Sequence, residues 1–250
     1  MSEKHENYYT LNLLGYGLAK YGMNFVKLMG FKAKQPFYKY LVSIGVAETP
    51  GVIKNRQDLF DPFFDNKRKG WWQKGSVYIH RKYFIDSLFG TLNDKDYSEI
   101  IKLHLAQKFL DSPVIIKPIL ESKFKQLQQT GNEAEMFFLY NYHTIEFFKD
   151  GIIEDARLYG DGYDFQIQVG GNYFLSEVKG IREKKGCIRL TEKEYYCAEE
   201  YKNNYALSVI SNLNNVPRMT IIFNPLSEIE LIPKIVESKN TTYHSKSLTW

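Results

Sequence analysis

Hydrophobic and polar positions change period about midway along the chain. Over residues 11–29, apolar clusters interrupted by Lys20 and Lys27 follow a helical spacing, and Gly15, Gly17 and Gly22 within it point to close helix packing. A second helix is predicted after Pro36, where Phe37, Tyr40, Leu41 and Ile44 share one face and proline suits the first turn; "AETPG" ends it. "SVYIHRKYFIDSLFG" opens like a strand and closes like a helix, and "NDKDYSEIIKLHLAQKFL" is an amphipathic helix that Asn93 or Asp94 can cap. The first half therefore reads as mainly helical with one hairpin. Pro113, Pro118 and the polar run "KQLQQTGN" mark a change of register, which predicts a boundary between Lys125 and Gly131 and two domains, 1–125 and 126–250. Beyond it come a helix over "EAEMFFLYNYHTIEFF", a hairpin over Gly162–Gly180, a helix from Thr191, and strands over "YALSVIS" and "RMTIIFNP". That order describes an α/β domain of the α+β kind with a mixed sheet.

Composition narrows the class. The chain has 250 residues, of which 44% are hydrophobic and 16% aromatic, enough for a sizeable core. No apolar run approaches the roughly 20 residues a membrane span requires, and "MSEKHENYYT" lacks the apolar centre of a secretory signal, so the expectation is a cytoplasmic protein without a membrane partner. Cys187 and Cys197 are the only cysteines and form no metal-binding spacing; they read as packed or idle thiols. His80, His104, His143 and His244 show no zinc spacing either.

The hairpin carries the chemistry. In "DFQIQV", Asp164, Gln166 and Gln168 fall on one face and Phe165, Ile167 and Val169 on the other, with Gly170, Gly171 and Asn172 as the turn. In the returning strand Glu177 and Lys179 share a face. The pair can thus present Asp164, Glu177 and Lys179 together. Two carboxylates are hard ligands for Mg²⁺, which stabilises charge on a phosphate and acidifies a water; an adjacent lysine orients or deprotonates that water. The Val178 carbonyl can complete the metal shell where the sheet splays. Thr191 and Glu194 read as a capping box at a helix start.

These motifs resemble the PD-(D/E)xK nuclease superfamily, and specifically the nuclease-like domain at the C-terminus of NO VEIN-type proteins and of several restriction-system proteins. The matching stretches are Gly131 to Glu135, Gly162 to Asp164, Glu177 to Lys179, Thr191 to Glu194 and Tyr205 to Leu207. The first motif lacks its eponymous proline, and the first half matches no such family. The resemblance implies a restriction-endonuclease-like mixed sheet with flanking helices, and a Mg²⁺-dependent enzyme (Mn²⁺ substituting) with Asp164, Glu177 and Lys179 at its centre. It also implies Glu135 as an additional contact, with Glu133 competing for that role and Asp161 competing with Asp164.

A net charge of +4 permits a nucleic-acid partner. "DNKRKGWWQKGSVYIHRKYF" concentrates Lys67, Arg68, Lys69, Lys74, Arg81 and Lys82 with Trp71 and Trp72, a combination that can neutralise phosphates and stack on bases. Lys184 and Lys185, with Arg189, can bind phosphates beside the hairpin. A hairpin over Gly70–Arg81 after two helices would make the first half winged-helix-like. The expected protein is a reader joined to a cutter: an endonuclease of double-stranded DNA, foremost a type II restriction enzyme, with a homodimer favoured because two strands need two sites. A structure- or modification-dependent repair nuclease, an RNA-directed one, and a non-catalytic DNA-binding protein retaining the fold are the alternatives.

Overall fold

A computed structural model of the chain describes residues 7–110, 117–234 and 245. Pro113 and His244 lie outside the described residues. Helix α1 (Tyr8–Lys20) is apolar on nearly every side, with Leu11, Leu13, Leu14, Tyr16 and Leu18 fully buried, and such a helix must be enclosed by others. The rest of the first half is α2 (Gly22–Leu28), α3 (Lys34–Ser43), α4 (Pro50–Phe60), α5 (Ile79–Phe89) and α6 (Asp94–Phe109). The helix expected over residues 11–29 is thus two, because Gly22 takes a φ of +59° and turns the chain. Close packing occurs at Gly15, where an added Cβ would sit 2.6 Å from the Arg56 carbonyl oxygen. Asn93 caps α6, its side chain accepting from the Asp96 N–H at 2.8 Å.

The hairpin expected over Gly70–Arg81 does not form, and with it goes the winged-helix analogy. Trp71 donates its N–H to the Asp58 carbonyl at 2.7 Å, a 3₁₀ turn follows over Trp72–Lys74, and α5 starts at Ile79. The alternating pattern of "SVYIH" is misleading because Arg81, Phe84 and Ile85 are buried with His80, a helical grouping that the bundle selects.

Two further helices, α7 (Pro118–Gln128) and α8 (Thr130–Asn141), lead into the sheet. The α8 helix stops earlier than the pattern predicts. Asn141 donates its side chain to the Phe137 carbonyl and Thr144 donates back to the Asn141 carbonyl, so local side-chain bonds replace the helical ladder and two 3₁₀ turns follow. The strands are β1 (Ile152–Asp155), β2 (Phe165–Val169), β3 (Asn172–Gly180), β4 (Tyr205–Ser211) and β5 (Arg218–Phe223), with α9 (Glu192–Tyr201) between β3 and β4 and a short α10 (Pro225–Glu228) after β5. Their spatial order is β1-β2-β3-β4-β5, antiparallel except for β3 and β4. A parallel pair needs a crossover, and α9 provides it. The four-residue β1, too short and polar to announce itself in the sequence, forms one edge.

The sheet is covered on both faces. Phe165, Ile167, Val178, Ala206 and Ile210 pack against Ala134, Phe137 and Phe138 of α8. On the opposite face Leu175 and Tyr205 pack against Cys197 and Ala198 of α9. The α8 helix also reaches the helical half: Met136 joins its core, Tyr140 stacks on Tyr83 at 3.7 Å, and Phe137 meets His80 edge-on. Among the described residues no helix is long and apolar enough to cross a membrane.

Gly180 fixes how closely α8 approaches β3, since a Cβ there would lie 2.8 Å from the Thr130 carbonyl oxygen and 2.9 Å from the Ala134 Cβ. Gly180→Ala should therefore lower stability by about 1–3 kcal/mol, as overpacking does. A urea midpoint equal to that of the parent chain would show that α8 moves aside freely.

Candidate active site

The β2–β3 hairpin closes through Gly170 and Gly171, whose φ values of +56° and +88° match the turn that joins twisted strands tightly. Its register pairs Phe165 with Ser176, which sets Asp164, one residue before β2, across from Glu177 on the face that α9 covers. Asp164 is pinned by its main chain: its N–H donates to the Ser176 carbonyl at 3.0 Å and its carbonyl accepts from Ala156 at 2.9 Å. Its side-chain Oδ2 accepts the Val178 N–H at 2.8 Å. The β2–β3 ladder thus ends in a carboxylate. Strand geometry turns the Val178 carbonyl to the same edge as its N–H, toward Asp164.

Lys179 lies between two carboxylates, with Nζ 2.6 Å from Glu177 Oε1 and 2.6 Å from Glu194 Oε2. Glu194 completes the capping box read from the sequence: Thr191 accepts the Glu194 N–H at 3.3 Å, and Glu194 Oε2 accepts the Thr191 N–H at 3.0 Å. It therefore does more than cap, since the same oxygen holds Lys179. Nothing in the linear sequence signals that second role, because it depends on where α9 crosses the sheet.

The electrostatics leave this cluster short of positive charge. Burial, with the nearby Asp164 carboxylate, pushes Glu177 up to about 8 despite Lys179. Burial raises Asp164 to about 6, assisted by Glu135 and Glu194 and opposed by the Val178 N–H and Lys179. Burial alone would lower Lys179, yet Glu177 and Glu194 hold it above the usual lysine value. Burial also works against ionised Glu194, but hydrogen bonds from Lys179 and Thr191 hold it below the ordinary carboxylate range. Two buried carboxylates that one lysine does not neutralise are a donor set suited to a hard cation. Among the described residues no group of three His, Cys, Asp or Glu side chains is arranged to hold a metal by itself, so the third protein ligand would have to come from the main chain, where the Val178 carbonyl is at hand.

The competing acids separate cleanly in space. Glu133 turns away, only 2% exposed, accepting from Tyr8 at 2.8 Å and Arg182 at 3.3 Å, and lying 3.6 Å from His80 and 3.9 Å from Arg81. Glu135 turns toward Asp164 and is held by Arg157 at 2.9 Å, whose guanidinium also binds Asp155 and lies over the Phe165 ring. Arg157 drew no attention in the sequence because it follows the unrecognised β1. Asp161 is exposed and faces Lys193 at 3.5 Å. Buried His80 and His104 and exposed His143 stand outside the cluster, burial pushing His104 down to about 4. Cys197 is packed on the sheet-facing side of α9, while Cys187 is exposed.

The basic positions divide. Lys67, Lys69, Lys74 and Trp72 are exposed in the loop before α5, and Lys184, Lys185 and Arg189 are exposed in the loop that runs from β3 to Thr191. Three others have internal duties. Arg68 binds Asp58 at 2.8 Å and Asp61 at 2.7 Å. Arg81, 4% exposed, donates to the Leu213 and Asn215 carbonyls at 3.1 Å and lies over the Tyr8 and Tyr78 rings. Lys82 binds Asp86 at 2.5 Å. Trp71 packs against the helical core beside Tyr78.

Residues 134–222, from α8 to β5, match the family described as Protein NO VEIN, C-terminal, a span that includes Glu135, Asp164, Glu177, Lys179 and Glu194. No curated protein and no solved structure matches the chain.

The charge imbalance has a measurable sign. Asp164 and Glu177 have folded pKa values of about 6 and about 8, above their ordinary 3.8 and 4.5, so folding takes up protons at these sites. Their contribution is most favourable below about pH 4 and is lost as pH rises through 6 and 8. In EDTA, Glu177→Gln should melt higher than the parent chain at pH 8.5, by on the order of several degrees, with the gain shrinking toward pH 5. Thermal scans across that range check it; a gain independent of pH would mean that the carboxylate is not strained by its surroundings.

Proposed function

We propose that this chain is a Mg²⁺-dependent DNA endonuclease of the PD-(D/E)xK type, acting in a restriction system. The observation that carries this reading is the juxtaposition of Asp164, Glu177 and Lys179 on one sheet face, with both carboxylates pushed up by burial. Asp164, Glu177 and the Val178 carbonyl would hold the metal. A magnesium ion so held neutralises charge on the scissile phosphate and lowers the pKa of a water.

The chain's own residues supply the rest. Lys179, anchored by Glu194 and kept protonated by its two carboxylates, is a fixed cation that can donate to a phosphate oxygen or orient the attacking water where negative charge develops. Asp164 is held by the Val178 N–H at 2.8 Å, so its remaining oxygen is presented without a search over rotamers. Glu135, in its ion pair with Arg157, adds a negative field at the edge of the site. Lys184 and Lys185 stand on the loop flanking the site, and Lys67, Lys69, Lys74 and Trp72 form an exposed basic and aromatic segment suited to phosphate and base contact. Double-strand cutting by one such site per chain favours a homodimer.

Incubating the chain with mixed-sequence duplex DNA should give cleavage in Mg²⁺ or Mn²⁺ and none in EDTA. Lys179→Ala should lower the rate by about 10²–10³-fold, the scale of losing one preorganised donor, while DNA binding persists. Metal-independent cleavage, or a Lys179→Ala chain that cuts normally, would remove the assignment.

Replacing the exposed Lys67, Lys69 and Lys74 by Ala should weaken binding to all sequences and flatten the plot of log affinity against log salt by about 0.9 for each phosphate that is no longer neutralised. A salt titration that overlays the parent curve would show that this loop does not touch DNA.

A further inference from the structure

Next to the candidate active site lies a concave feature on the same face of the sheet. In the β2–β3 register Gln166 stands opposite Leu175 and Gln168 opposite Tyr173, continuing the face that carries Asp164 and Glu177. There a cavity of about 410 Å³ is lined by Tyr163, Gln166, Tyr173, Leu175, Tyr201 and Asn204, with Gly171 and Asn172 at the hairpin turn. No residue of this lining is charged. The Tyr173 and Tyr201 rings are 51% and 45% exposed and belong to neither apolar cluster of the sheet, so packing does not account for them. Leu175, 5% exposed, supplies an apolar wall. Gln166 donates its amide N–H to Glu154 at 2.9 Å, which orients the group and leaves its Oε1 available as an acceptor.

Tyrosine rings, neutral amides and an apolar wall suit a ligand that is flat, uncharged and polar at its edge. The charged cluster begins at Asp164, two residues before Gln166 and about 6.6 Å away at the usual strand rise. A ligand spanning both features is anionic at one end and a flat heterocycle at the other, which describes a nucleotide. We propose that this cavity is a subsite for one unstacked nucleobase of the strand whose phosphate lies at Asp164, Glu177 and Lys179. A base stacked and paired in a duplex cannot enter a concave pocket; a base in a single strand, or one extruded from a mispaired or damaged position, can do so at small cost. The substrate class that follows is DNA with an unpaired or readily extruded base beside the cut. The inference rests on the nuclease reading for the phosphate end, but its base end is testable separately.

The test uses the full chain carrying Lys179→Ala, which slows cutting, and compares a short oligothymidylate with an abasic phosphodiester chain of equal length. The two probes offer the same phosphates and differ only in their bases. Base stacking should make oligothymidylate bind on the order of tenfold more tightly. Adding Tyr201→Ala should remove most of that preference and leave abasic binding unchanged, whereas Tyr201→Phe should keep it. Tyr201 is half-exposed at the end of α9, and an unchanged melting temperature would show that its truncation spares the fold. Gln166→Ala provides a second variant on the opposite wall.

Equal affinity for the two probes, or a base preference that survives both Tyr201→Ala and Gln166→Ala, overturns the subsite. If the parent chain cleaves duplex DNA in Mg²⁺ without any such base preference, the nuclease reading stands and the subsite falls. If the preference follows Tyr201 but no metal-dependent cleavage occurs, the subsite stands and the nuclease reading falls.

Discussion

A single hydrogen bond, from the Val178 N–H to the Asp164 carboxylate, governs the geometry of the sheet face that carries Glu177 and Lys179. It stands where the next rung of the β2–β3 ladder would be, so the two strands part at this point without leaving a buried N–H unpaired. Strand geometry turns the Val178 carbonyl to the same edge as its N–H, and the register keeps Glu177 across from Asp164. A ladder continued for one more residue pair would present ordinary main-chain partners here in place of a carboxylate.

That arrangement works against stability in the absence of a cation. Glu177 is almost fully buried beside Asp164, and Lys179 answers only part of the negative charge because it is shared with Glu194. The α9 helix carries two obligations at once. Its first turn is capped by Thr191, and the Glu194 side chain that completes the cap also anchors Lys179. The helix cap and the placement of the Lys179 ammonium thus depend on the same oxygen atom.

The parts legible in the sequence are those set by local rules. Strand alternation and a Gly-Gly turn identified the hairpin and the shared face of Glu177 and Lys179; the Thr191 to Glu194 spacing identified the cap. What escaped depends on partners far along the chain. Arg68 and Arg81 look like the basic residues around them until Asp58, Asp61 and the Leu213 and Asn215 carbonyls absorb them. The wing failed for a related reason: alternation over five residues cannot compete with a bundle that buries His80, Arg81, Phe84 and Ile85 together. Glu133 and Glu135, two apart on α8, compete for one role in the sequence, and which of them faces Asp164 depends on where α8 crosses the sheet.

The buried end of Glu133 bears on how the chain can be divided. The matched segment starts at Ala134, one residue past it, and a fragment beginning at 126 would keep Glu133 while leaving behind Tyr8, His80 and Arg81. It would also bare Met136, Phe137 and Tyr140, which the helical half covers. The two halves are therefore fastened through α8, which has a different neighbour on each side, and again where Arg81 holds the Leu213 and Asn215 carbonyls. Exchanging the first half for another sequence would therefore have to supply a new surface for α8, since Met136, Phe137 and Tyr140 are seated on it.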